Sequence, residues 1–161
     1  MQNSWIQAVA RRWRMRGLRE PYRSLLDQDD GRLVSIDCET TSLNVKEAEL
    51  LSIAAVCIDG RRLCTRDAFY ALITPQHAPD GQNVRVHGLR PCDFSTGLPL
   101  QDVLSAFLQF VRGRTLVGYY LQYDLAVLNK NLRPLMGAAL PNSRIEVSGR
   151  YYDWRDRKSV V

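Results

Sequence analysis

Histidine and lysine are scarce in this chain. Its 161 residues contain two histidines, His77 and His87, and three lysines, Lys46, Lys130 and Lys158. The four cysteines, Cys38, Cys57, Cys64 and Cys92, form no CxxC pair. With so few histidines beside them, a structural zinc site is not expected. Free thiols in a reduced, cytoplasmic setting are the default for such a pattern. No apolar run is long enough to cross a bilayer, so no membrane association is expected. The N-terminus also lacks the unbroken apolar segment of a secretory signal. There is no internal repeat and no low-complexity tract.

What is present is an ordinary globular composition, 45% hydrophobic and 24% charged, in a chain long enough for one domain with a real core. The net charge is +5, and all but three of the 22 basic residues are arginine. Arginine suits bidentate contacts with phosphate. A polyanionic partner and a merely solvated basic surface are both compatible with charge alone.

Residues 1–30 read as a basic helical extension. Trp5, Ile6, Val9 and Trp13 recur at helical spacing among Arg11, Arg12, Arg14 and Arg16. Ser4 suits the cap, and Gly17 or Pro21 the end. The tryptophan stripe favours a helix docked on the main domain. A nucleic-acid or membrane-surface arm and an organelle transit segment are the alternatives.

Residues 31–161 read as the main domain. The segment LVSIDCE, residues 33–39, predicts a strand, and LLSIAAVCID, residues 50–59, a second. DAFYALITP reads as a third strand ended by Pro75, so that short connections make an antiparallel meander. Residues 76–99 carry several breakers and read as loop. Residues 100–114 predict a helix with Val103, Leu104, Phe107, Leu108 and Val111 on one face. TLVGYY predicts a short buried strand. A second helix follows from residue 121 until Pro134 disturbs it, and RIEVSG is a final short strand. The order βββαβαβ is α/β: a mixed sheet with flanking helices.

Asp37 and Glu39 stand at i and i+2 in the first strand, so they project from the same face. Two adjacent carboxylates at a strand end either meet water or are compensated by a cation. Magnesium or manganese, hard and oxygen-seeking, suits such a pair. Cys38 points the other way, as a small buried residue.

The flanks go further. SIDCETTSL, residues 35–43, closely resembles the first motif of the DEDD 3′–5′ exonucleases of the ribonuclease H-like superfamily. That family includes the proofreading ε subunit of bacterial replicative polymerase and the RNase T type enzymes. LVGYYLQYDLAVLN, residues 116–129, is similar to its second motif, a strand followed by a helix carrying one aspartate, here Asp124. VRVHGLRPCDF resembles its H-G-[IL] segment. The three stand in the family's order, and the resemblance covers roughly residues 33–153.

That resemblance implies a ribonuclease H-like fold, three antiparallel strands followed by parallel strands with flanking helices. It implies two-metal hydrolysis at the 3′ end of single-stranded DNA or RNA, with two Mg2+ or Mn2+ ions. Asp37 would bridge both ions, Glu39 would hold the one that activates water, and Asp124 would serve the second. Thr40, Thr41, Leu43 and the His87–Gly88–Leu89 segment would contact the terminal nucleotide. A DNA polymerase or another replication or repair protein is the implied protein partner. For single residues plainer roles stand beside these: Asp124 as a helix N-terminal acid, and His87 as a loop histidine holding backbone. Tyr119, Tyr120 and Tyr123 read as core and pocket wall rather than base-stacking groups.

One part of the family pattern is missing. A third motif, a histidine four or five residues before an aspartate on a helix, supplies the general base and the fourth metal ligand. No histidine follows His87, and Asp153 and Asp156 follow the last strand too closely. The expectation is a fold without its final helix, one sheet face less covered, and either a truncated enzyme, an impaired nucleic-acid-binding relative, or a site completed by a partner.

Overall fold

The computed structural model describes residues 9, 10, 12–77 and 88–152. Five strands form one sheet in the order β3-β2-β1-β4-β5. They are β1 Leu33–Thr40, β2 Leu50–Asp59, β3 Arg62–Leu72, β4 Thr115–Gly118 and β5 Arg144–Glu146. β1, β2 and β3 are antiparallel, and β4 and β5 run parallel to β1. The helices are α1 Tyr22–Leu26, α2 Leu100–Val111 and α3 Leu121–Met136. Residues 148–152 are helical as well.

Alternation along β1 sets the two faces. Val34, Ile36 and Cys38 are buried, with Ala55, Ile53 and Phe69 on the strands beside them. α2 and α3 pack on this face, joining Val103, Leu104, Phe107, Leu125, Val127 and Leu128 to one core. Phe107 of α2 meets Phe69 of β3 at a ring separation of 6.1 Å. Truncating a buried ring of this kind to alanine costs about 3–5 kcal/mol. The opposite face carries Ser35, Asp37, Ala54, Val56 and Tyr70, and it stays partly open, Tyr70 being 60% exposed.

β3 begins at Arg62, five residues before the expected Asp67. Asp59 pairs with Arg62 across Gly60–Arg61, a two-residue hairpin with Gly60 at φ 58°. Glycine at the first central position, with Arg61 not at positive φ, is what a type II′ hairpin turn asks for. The polar residues after it pair because they follow the turn, not because they are apolar. α3 continues through Pro134 to Met136, where Gly137 ends it at φ 84°. Pro134 falls in the last turn, where little helix remains to disrupt.

The N-terminal segment docks, but through other residues than expected. Met15, Leu18 and Leu26 are buried in the main core, whereas Trp13 is 64% exposed beneath the Arg16 guanidinium, 4.0 Å from its ring centre. Trp5, Ile6 and Arg11 lie outside the described residues. Arg114 is buried against Asp30, with contacts of 2.9 and 2.7 Å, and Asp30 also holds Arg32. Those two arginines serve the fold rather than a polyanion.

Candidate active site

β1 outlasts β4. Their pairing stops at Ser35 opposite Val117, and Gly118 brings the chain up against the Ile36 carbonyl. A Cβ on Gly118 would stand 3.2 Å from that oxygen and 2.9 Å from Leu121 Cδ1, so a larger residue would crowd the point where the strand turns into α3. The turn leaves the Cys38 N–H without a neighbouring strand. Asp124, in the first turn of α3, fills the gap: its Oδ1 accepts that N–H at 3.1 Å. The helix acid is thereby fixed to the backbone between Asp37 and Glu39.

The strand side is shaped by a bulge. Glu39 faces Ser52, but Thr40 faces Leu50, and the pairing slips between them. A bulge of this kind re-aims the side chains around it and is common beside active sites. Asp37 is exposed, Glu39 is half-buried, and Asp124 is only 5% exposed.

Burial first, and then the nearby Asp37 charge, push the Asp124 carboxyl up to about 7. The Cys38 thiol is driven well above its usual range by burial, then by the Asp124 and Asp37 charges. It stays protonated at neutral pH, so the donors offered here are oxygens. An oxygen-only set with a buried acid strained by a like charge suits a hard divalent cation. Among the described residues no three His, Cys, Asp or Glu side chains stand close enough to form a ready-made metal cage. The arrangement is a backbone-anchored acid flanked by two strand acids, not a preassembled cluster.

Thr40 and Thr41 organise the loop behind the acids. Thr40 Oγ1 donates to Tyr123 Oη at 2.6 Å and lies 3.1 Å from the Ser42 carbonyl. Tyr123 Oη also donates to the Ser42 carbonyl. Thr41 and Glu49 bond reciprocally: the Thr41 N–H reaches the Glu49 carbonyl, and the Glu49 N–H reaches Thr41 Oγ1, both at 3.0 Å. Lys130 Nζ donates to the Val45, Lys46 and Ala48 carbonyls at 3.1, 3.0 and 2.8 Å. The loop is thus pinned from α3, with Leu43 87% exposed on it. Tyr123 and Asp124, adjacent in sequence, fix the loop and the strand respectively.

His87 lies outside the described residues. Gly88 takes φ 73°, and Leu89 leads into the 3-10 turn Pro91–Thr96. That turn joins the sheet where Leu98 N–H bonds the Leu72 carbonyl at 2.9 Å. Leu72 pairs with Ser52, and Ser52 with Glu39, so this segment rejoins the sheet at the level of the acids. His77 is engaged by the Glu49 carboxylate.

Sequence reasoning missed Lys130 and Glu146. Glu146 accepts the Tyr120 N–H at 3.0 Å and the Ser148 N–H at 2.9 Å, holding the turn into α3. The expectation for the tyrosines needs correction. Tyr123 is partly buried, but Tyr119 and Tyr120 are 44% and 57% exposed, because they follow β4 at the rim and not within the core.

Residues 34–154 match the sequence model of the Exonuclease (RNase T) family. The chain is 26% identical over 113 residues to DNA polymerase III subunit epsilon of Aquifex aeolicus, covering 70% of this chain and 55% of that protein. It is 30% identical over 99 residues to RNA exonuclease 4 of Xenopus tropicalis, covering 60% of this chain and 23% of that one. Among solved structures, E. coli exonuclease I in complex with a dA16 oligonucleotide superposes with a TM-score of 0.62 at 15% identity. That superposition covers 73% of this chain and 28% of the other, and it establishes a shared fold. The chain spans about half the length of the ε subunit it matches, and less of the others.

Proposed function

Because this chain belongs to the Exonuclease family, we propose that it removes nucleotides from the 3′ end of a DNA or RNA strand by divalent-metal-dependent hydrolysis at Asp37, Glu39 and Asp124. The observation that carries this reading is the bond between Asp124 Oδ1 and the Cys38 N–H, which sets the helix acid between the two strand acids.

Asp37 and Glu39 would hold Mg2+ or Mn2+ from the strand, and Asp124 from the helix. Two such ions, when bound, supply an activated water and relieve charge on the phosphate and the leaving oxygen. The protein's own share is placement. Thr40, Thr41 and exposed Leu43, on the pinned loop that follows the strand acids, and the His87–Gly88–Leu89 segment are the residues we assign to the terminal nucleotide. A single-stranded 3′ end is the substrate form we assign, in a cytoplasmic protein whose four cysteines are free. A polymerase partner is carried over from the kinship with the ε subunit.

A second reading is a catalytically impaired relative that binds nucleic acid. It rests on His77, the one histidine among the described residues, which is held by Glu49. Incubating 5′-labelled and 3′-labelled single strands with manganese separates the two. Stepwise shortening of the 5′-labelled strand, lost in Asp37→Ala, supports the enzyme. Binding without shortening at any pH or metal concentration supports the impaired relative.

A further inference from the structure

Four tyrosines gather where β4 and β5 end. Tyr119, Tyr120, Tyr151 and Tyr152 are 44%, 57%, 46% and 42% exposed, and none belongs to the hydrophobic core. Their rings nonetheless touch. Tyr119 lies edge-on to Tyr120 at 4.8 Å and to Tyr151 at 6.1 Å, and Tyr151 lies edge-on to Tyr152 at 5.9 Å. The Tyr152 hydroxyl accepts from Tyr119 at 3.1 Å and stands 3.3 Å from the Tyr120 hydroxyl. The hydrogen bond to Tyr152, with lesser help from burial, pushes the Tyr119 phenol up to about 12.

The cluster is built at a cost. Tyr120 adopts a left-handed backbone, φ 54° and ψ 33°, which is uncommon for a bulky residue. Glu146 holds it there through the Tyr120 N–H. Strain that turns an aromatic ring outward, away from the core, points to a use at the surface.

Its place identifies the use. Tyr119 and Tyr120 follow the end of β4, and Tyr120 is the residue from which α3 starts, the helix whose first turn carries Asp124. Asp124 in that turn is bonded to the Cys38 N–H between Asp37 and Glu39, so the cluster stands at the same strand-to-helix turn as the helix acid. Arg144 lies on the edge strand β5, and Arg150 belongs to the 148–152 helix that also carries Tyr151 and Tyr152. Glu146, an acid on that edge, already accepts two backbone N–H groups.

We propose that Tyr119, Tyr120, Tyr151 and Tyr152 form a stacking platform for the unpaired bases of the strand whose 3′ end occupies the carboxylate site. It selects single strands over duplexes. This rests on the exonuclease reading for the position of the 3′ end, and not for the binding itself. Every base offers a π-face to an aromatic ring, so such a platform is tolerant of sequence. Bases inside a duplex are already stacked on both faces and offer none.

The test is fluorescence anisotropy in EDTA with three 5′-fluorescein probes: a 12-nucleotide deoxyadenosine strand, that strand paired to its complement, and an abasic 12-mer. The full chain is compared with Y119A/Y152A and Y119F/Y152F, each with a melting curve to verify folding. The alanine pair is expected to lose about tenfold or more in affinity for the deoxyadenosine strand, with little change on the abasic probe. The phenylalanine pair keeps its affinity within about twofold, since stacking needs the ring and not the hydroxyl. Wild type should prefer the single strand to the duplex. Equal binding by a folded alanine pair, equal loss on the abasic probe, or no binding by wild type overturns the platform. A change in oligomeric state in place of binding overturns it too, by assigning the rings to a second copy. If tyrosine-dependent binding is found but manganese produces no 3′ shortening, the exonuclease reading falls and the platform stands.

Discussion

The Asp124 carboxylate accepts the Cys38 N–H where β4 no longer can, and this bond couples the start of α3 to the end of β1. Replacing Asp124 with asparagine keeps an acceptor oxygen but removes a buried charge set against Asp37. Without divalent metal, Asp124→Asn should melt at or above the wild-type temperature. Asp124→Ala should lose about 1–3 kcal/mol, because the Cys38 N–H is left unsatisfied. Thermal unfolding in EDTA checks both. A destabilised asparagine variant would mean that the charge itself holds the site together.

The elevated Asp124 pKa also makes metal-free stability depend on pH. Its folded value is about 7, above the unfolded carboxylate value near 4. The folded state therefore holds the extra proton between those limits. The resulting stabilisation is complete below about pH 4 and lost as pH rises through about 7. Urea unfolding in EDTA should show wild type losing stability from pH 5.5 to 8.5, on the order of 2 kcal/mol. Asp124→Asn should lack this component. Parallel profiles for the two proteins would contradict it.

Lys130 is predicted to hold the loop and not the global fold. Its three carbonyl acceptors are on residues 45–48, and the loop they anchor carries Leu43. Lys130→Met should speed amide hydrogen exchange across residues 41–49, as local opening made easier by about 1–2 kcal/mol, with little change in the global melting temperature. Unchanged exchange in the loop would assign its order to Tyr123 and Thr41 instead.

Much of this was legible before the structure. The i, i+2 rule put Asp37 and Glu39 on one face, and helical periodicity selected the five buried residues of α2. Elsewhere the sequence misled for physical reasons. Arg62 and its neighbours pair because a two-residue turn folds them back, which hydropathy does not register. Trp13 and the two rim tyrosines look like core residues by chemistry, yet their exposure follows from where a strand or helix ends. The bond from Asp124 to Cys38 joins residues 86 apart and depends on β4 stopping early. No local pattern encodes that.

Hydrolysis by the 161-residue chain should be slow. Among the described residues the one histidine, His77, is engaged by the Glu49 carboxylate, so it does not supply a positioned general base, typically worth about 10²–10⁴-fold. Raising the pH should partly restore the rate, because hydroxide then forms unaided. Manganese should serve better than magnesium, which demands stricter octahedral geometry. Robust trimming with magnesium at neutral pH would show that another group completes the site.

The central claim is that Asp37, Glu39 and Asp124 share a divalent cation. Electron paramagnetic resonance of free Mn2+, titrated with protein at pH 8, tests it most directly, since bound manganese leaves the free-ion signal. The wild-type chain should deplete that signal, and Asp37→Ala and Asp124→Asn should each deplete it far less at equal concentration. Depletion that is absent in wild type, or identical in all three proteins, would contradict the account.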